Sequence, residues 1–217
     1  MQKKFSYYIV SGFLLCAILG IVYFFQRKNT VPTYRLPVYG PSSNGNKIAR
    51  TNHKIPYFSF TDQEGNIFTS DSARNKITVV DYFFTTCQSI CPVMSRQMER
   101  VAASFSTDSE ILILSHTVNP ETDSVAVLKA YSLLHKADYS KWKFLTGNKS
   151  DLYRLARRGY LLDAIENTNR NEAEADFIHT QNFVLVDKNK QIRGFYDGTD
   201  SLEVSRLIKE IRILRTE

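Results

Sequence analysis

The sequence predicts an α/β domain in which a central mixed sheet is flanked by helices. Three observations predict it. Ile77 to Phe84 (ITVVDYFF) is a continuous apolar, β-rich run, as a strand buried on both faces requires. Met94, Met98, Val101, Ala102 and Phe105 then recur at helical spacing, and Ile111 to Ser115 reads as a second buried strand. Strand-helix-strand units of this kind imply parallel pairing.

The remaining elements follow in order. Tyr57, Phe58 and Phe60, then Ile67 to Thr69, form an N-terminal hairpin around Asp62-Gln63-Glu64-Gly65. Val127, Ala130, Tyr131 and Leu134 mark a second helix. Trp142 to Thr146 is a short strand, and Asp151 to Arg158 a third helix. Phe183 to Val186 and Ile192 to Tyr196 make a hairpin turned by Lys188-Asn189-Lys190, which adds an antiparallel edge. Val204, Leu207, Ile208 and Ile211 mark a closing helix. The order β, α, β, α, β-hairpin, α is the thioredoxin arrangement, here with an extra N-terminal hairpin and an inserted helix.

At 217 residues and 43% hydrophobic content, the chain suits one ordinary domain with an appendage. The net charge is +6, but the basic residues are scattered. No dense Lys/Arg stripe with interleaved aromatics points to nucleic acid. Tyr7 to Phe25 holds no charged residue, and at about 1.5 Å rise it spans roughly 28 Å, close to a bilayer core. The run exceeds a signal-peptide core, and the bulky Val22, Tyr23, Phe24 and Phe25 leave no cleavage site. Leu14 and Leu15 before Cys16 argue against lipidation. Residues 1–28 are therefore expected to be an uncleaved single-pass anchor. The flanking charges nearly balance, so orientation rests on the short N-terminal tail staying inside. No Arg/Ser-rich transit peptide precedes the anchor. A bacterial cytoplasmic membrane, with the domain in the periplasm, is the expected location. Residues 29–54, which hold three of the six prolines, read as a flexible tether. Residues 55–217 are the expected domain.

Two of the three cysteines stand in Cys87-Gln88-Ser89-Ile90-Cys91-Pro92, where the buried strand ends and the first helix begins. Unpaired amides and the helix dipole stabilise a thiolate there. Pro92 fits a first helical turn, where its missing N–H leaves no gap. If the intervening turn is helical, residues four apart share a face. Both sulfurs then hold one soft metal ion or close a disulfide. A metal site calls for a third ligand among four histidines. His53 lies in the tether, His135 on a presumed helix surface, and His116 at a strand end by the sheet rim. His179, just before the hairpin, is either a ligand or a plain loop residue. Two thiolates with one imidazole favour Cu(I) and keep Cu(II) accessible. Structural zinc usually takes four protein ligands. Asp81, six residues before Cys87, is placed as a thioredoxin proton shuttle is, and burial would raise its pKa.

These residues give the chain its resemblance. Asp81 to Met94 (DYFFTTCQSICPVM), Val118 to Tyr131 (VNPETDSVAVLKAY), Trp142 to Gly147 (WKFLTG) and Phe177 to Asp187 (FIHTQNFVLVD) resemble the SCO/SenC family of copper proteins. That family helps assemble the Cu(A) centre of cytochrome c oxidase. The resemblance runs from about Ile55 to the C-terminus and implies copper ligation by Cys87, Cys91 and His179. It also implies a copper-binding oxidase subunit, or another copper or thiol protein, as partner. The chain departs from the family pattern at Asp81, Thr86, Asn119 and Ile178, and no departure removes a ligand. The alternative is a thiol-disulfide oxidoreductase, with Cys87 attacking, Cys91 resolving and Asp81 moving the proton. Against it, no proline lies near His179 to build the thioredoxin cis-Pro loop, and three residues separate the cysteines.

Overall fold

The computed structural model describes residues 35–41, 48–162 and 180–217. The expected anchor and His179 lie outside these residues. Among the described residues, no helix is long and apolar enough to cross a membrane. A short hairpin, β1 (Gly40–Pro41) with β2 (Ile48–Ala49), precedes the main sheet. The sheet is built from β3 (Ser59–Asp62), β4 (Ile67–Thr69), β5 (Ile77–Phe83), β6 (Ile111–Thr117), β7 (Trp142–Thr146), β8 (Asn182–Val186) and β9 (Ile192–Asp197). Its strand order is β4-β3-β7-β6-β5-β8-β9. β5, β6 and β7 run parallel, and β3, β8 and β9 pair antiparallel to their neighbours. The helices are α1 (Cys91–Ser104), α2 (Val125–Leu134), α3 (Lys149–Arg154) and α4 (Ser201–Leu214).

All seven residues of β5 and all seven of β6 are buried, as strands covered on both faces must be. Alternation then sorts their side chains into two cores. Ile77, Val79, Phe83, Ile111, Ile113, Trp142 and Phe144 face α1 and α4. Met94, Met98 and Val101 of α1 are fully buried in that core. Val80, Tyr82, Leu112, Leu114 and Leu145 face the other way, onto Leu152, Leu155, Ala156 and Tyr160.

Three expectations are corrected. The tether is largely a folded arm. Leu36 is buried and donates its N–H to the Glu217 carboxylate, while the Arg193 guanidinium bonds the carbonyls of Leu36 and Pro37. Tyr39 N–H bonds Ile192 O, and His53 Nε2 lies 2.7 Å from Gly159 O. Arg193 has carboxylate partners in Asp187 and Glu217, so an ionic anchor hidden in the sheet fixes a segment with no apolar period of its own. Of residues 29–54, only 29–34 and 42–47 lie outside the described residues. The second helix forms, but its inner face is set by Leu128 and Ser132, while Val127 and Leu134 are exposed. The third helix ends at Arg154 and continues as one π-turn, Leu155–Gly159, closed by Tyr160 N–H on Leu155 O. A Cβ at position 159 would stand 2.6 Å from Leu155 Cδ1 and 3.2 Å from Pro56 Cδ, so a larger residue there needs the Leu155 side chain to move.

His116 is also not at the rim. It is fully buried in the second core, stacked on Tyr82 at 5.0 Å with Phe58, Phe60 and Tyr160 around it. Neither ring nitrogen has a partner. Burial among these rings pulls its pKa down to about 3. The unfolded state therefore takes up a proton below about pH 6.5 that the folded state refuses, and His116 by itself costs roughly 1.4 kcal/mol of stability per pH unit on acidification towards pH 3. His116→Phe is expected to remove this contribution, leaving stability that falls as pH rises from about 4 to 6.5 because of the oppositely shifted Asp81, and to raise neutral-pH stability by about 1–3 kcal/mol, as relief of two unsatisfied nitrogens should. Urea unfolding at a series of pH values checks both effects.

Candidate dithiol site

The site forms because β5 runs out of sheet before α1 begins. β5 ends at Phe83, and Thr85 to Ile90 cross to the helix without regular structure. Cys91 is the first residue of α1, and Pro92 follows in the first turn. Cys87 therefore stands ahead of the helix, in an irregular segment and not in a helical turn as the shared-face argument assumed. The sulfurs are still brought together. The Cys91 backbone N–H, one of the unpaired donors of the helix start, donates to Cys87 Sγ at 3.4 Å. Ser89 Oγ lies 3.6 Å from the same sulfur. Both cysteines are free and buried, with Cys87 the more open at 8% exposure against 3%.

The two thiols differ. Burial alone would push the Cys87 thiol up, but hydrogen bonds from Cys91 and Ser89 outweigh it, and its pKa falls below the ordinary value. Burial pushes the Cys91 thiol up to about 12, helped by the neighbouring Cys87 and the charge of Asp81. Cys87 is thus the more acidic of the two sulfurs, while Cys91 holds its proton until a metal or an oxidant takes its place.

Asp81 lies on the same sheet face as the cysteines and is 3% exposed. Its register partner on β6 is Ser115, whose hydroxyl donates to Asp81 Oδ1 at 2.5 Å. Trp142 Nε1 donates in turn to Ser115 Oγ at 2.9 Å. Burial raises the Asp81 carboxyl to about 7, with the Ser115 bond opposing. Tyr131 packs on Phe83 and bonds Ser95 Oγ at 2.7 Å. With Phe144 and Trp142 it makes an aromatic floor under the cysteines.

The other sequence candidates fall apart from this cluster. His116 is on the opposite face, and His53 is pinned to the π-turn. His135 is not a free surface residue, for its Nδ1 lies 2.6 Å from Glu99 Oε1. No group of three or more metal-binding side chains forms among the described residues. The chain resumes at Thr180, two residues before β8. Since β8 is antiparallel to β5, Thr180 stands at the sheet edge from which the Cys87 segment emerges. Sequence reading missed Ser115, Trp142 Nε1, Tyr131 and Asp123. Asp123 is fully buried and accepts from the hydroxyls of Thr85 and Thr117. The lone serine in the apolar run ILILSHT was the available signal for Ser115.

Fold and site together define a thioredoxin-like dithiol protein. The sequence model of the SCO1/SenC family matches residues 46–214, so the chain belongs to that family. It is 26% identical over 167 residues to the SCO1 protein homolog of Bacillus subtilis, covering 76% of this chain and 84% of that one. The solved structure of BsSco, described as a cytochrome c oxidase assembly protein with a disulfide switch, superposes with a TM-score of 0.63. The identity is 24%, over 76% of this chain and 95% of that one. Copper-bound ScoI of Bradyrhizobium japonicum gives a TM-score of 0.57 at 20% identity, over 72% and 98%. At those identities the two structures attest the fold.

Asp81 yields a prediction opposite in sign to that for His116. A carboxyl raised from 3.8 to about 7 keeps its proton in the folded state where the unfolded state has lost it, so its contribution is present at low pH and lost as pH rises through about 7. Between about pH 4 and 6.5 the two groups nearly cancel, and the wild-type curve is flat in so far as they set it. Asp81→Asn should unmask the acid-side loss due to His116 and leave stability rising with pH in that window. A curve unchanged from wild type would show that Asp81 titrates normally.

Proposed function

We propose that the chain is a membrane-anchored copper metallochaperone, which holds copper between Cys87, Cys91 and His179 and passes it to a copper-binding subunit of cytochrome c oxidase. The observation that carries this reading is the convergence of two free thiols at the N-terminus of α1, with Cys87 Sγ on the Cys91 N–H. Two thiolates are a soft donor set suited to Cu(I), and an imidazole extends it to Cu(II). His179 is covalently next to Thr180, at the edge where Cys87 stands, which supports its place as third ligand. Family membership and the copper in the Bradyrhizobium relative support the cargo. The apolar run of residues 7–25 supports an anchor in a bacterial cytoplasmic membrane, with the domain in the periplasm.

The chain's own groups then have distinct work. Cys87 Sγ meets the incoming ion first, being the more exposed and the more acidic sulfur. Cys91 binds next and releases its proton, so affinity rises with pH. The aromatic floor closes the inner side, which leaves the outer side for ligand exchange with a partner.

A second reading is favoured by one observation. Asp81, buried with a pKa near 7 and close enough to act on Cys91, suits proton transfer in thiol-disulfide exchange. Anaerobic Cu(I) titration of the reduced chain from Arg35 separates the two. One tightly held copper per chain, lost in Cys87→Ser and weakened in His179→Ala, is the expected result. No tight copper in the wild-type chain would leave the oxidoreductase reading standing instead.

A further inference from the structure

Asp123 is a carboxylate with no exposed surface and, among the described residues, no basic partner. Its acceptors are filled by three donors: the Thr85 hydroxyl at 2.5 Å, the Thr85 N–H at 3.3 Å and the Thr117 hydroxyl at 2.5 Å. Each donor belongs to the edge from which the cysteine segment leaves. Thr117 ends β6 and pairs with Phe83, the end of β5. Thr85 lies two residues past that end and two before Cys87. Asp123 is itself fixed, since its N–H bonds Asn119 O at 2.9 Å and Ser124 after it caps α2. Thr117 Oγ1 also accepts the Asn119 N–H, at 2.9 Å.

Burying a polar side chain such as this carboxyl group is costly, and apolar side chains would fill such a space at least as stably. What an apolar residue does not do is hold a backbone N–H and two hydroxyls at set positions. Thr85 to Ile90 belong to no strand or helix, so the position of Cys87 depends on local ties. The Cys87 N–H bonds Phe84 O at 3.2 Å, and Thr85 is tied to Asp123. We infer that Asp123 is a positioning residue for the dithiol: by clamping Thr85 to the end of β6, it keeps Cys87 Sγ within reach of the Cys91 N–H and sulfur. This rests on the Cys87–Cys91 pair being the working site, and it holds whether the pair carries copper or electrons.

The test uses the full chain in detergent, reduced, with Thr85→Val and Thr85→Ser beside wild type. Valine keeps shape and backbone N–H but removes the hydroxyl, and serine restores it without a change of charge anywhere. Two readouts are taken with thermal unfolding as a control. One is Cu(I) affinity against a chromophoric chelator. The other is the equilibrium with oxidised glutathione, in which the two thiols become a disulfide and one glutathione disulfide becomes two glutathiones. Thr85→Val is expected to weaken copper binding and disulfide formation by about tenfold each, the latter a potential about 30 mV more oxidising. Thr85→Ser should return both near wild type. Wild-type values in Thr85→Val, or a loss in Thr85→Ser as large as in Thr85→Val, would overturn the inference. If wild type binds no copper, the metallochaperone reading fails, and the glutathione equilibrium still tests the clamp.

Discussion

The backbone amide of Cys91, at the start of α1, is the constraint on which the rest of the site depends. Cys91 is the first residue of the helix, so its N–H has no carbonyl to meet, whereas Val93 and Met94 both donate to Ile90 O. No side chain caps the helix at Ile90, and Pro92 removes one donor altogether. The Cys91 N–H is left to face Cys87 Sγ, and two chemically identical side chains become unequal because burial raises the Cys91 thiol while this contact, with the Cys91 side chain and Ser89, lowers Cys87. The position of the helix start is set in turn by the packing of Met94, Met98 and Val101 into the core, so fold and reactivity are fixed by the same turn.

The sheet keeps two buried ionisable groups on opposite faces. Asp81 and His116 sit on adjacent parallel strands, and alternation sends one towards the cysteines and the other into the aromatic core. Their environments differ in one respect that decides their chemistry. Burial lifts the Asp81 carboxyl to about 7 while the Ser115 hydroxyl, itself held by Trp142 Nε1, opposes the rise, so Asp81 can hold or release a proton near neutral pH. His116 has only ring faces and edges around it and stays neutral.

Much of this was legible in the sequence because burial leaves a period. The strands from Ile77 and Ile111, the α1 stripe and the closing hairpin and helix all stand where their apolar spacing put them. The cysteine pair was legible from its place at a strand-to-helix junction. What was not legible came from polar ties, which have no period. The arm at Leu36 is held by Arg193 and Glu217, far apart in sequence, so Pro- and Ser-rich composition alone read as a tether. His116 was placed at a rim because a polar residue near a strand end normally seeks solvent, and nothing local announces that Phe58, Phe60 and Tyr160 will close over it. Nothing local to Asp123 announces that Thr85, just past β5, and Thr117, the end of β6, meet on its carboxyl group.

The central claim is that both sulfurs bind the same ion. Copper X-ray absorption on the reduced full chain loaded with one equivalent of Cu(I) measures the donor set directly. The account predicts two sulfur neighbours and one nitrogen, with the nitrogen lost in His179→Ala and both sulfurs kept. A spectrum with one sulfur or none, or with a nitrogen unaffected by that substitution, would contradict it.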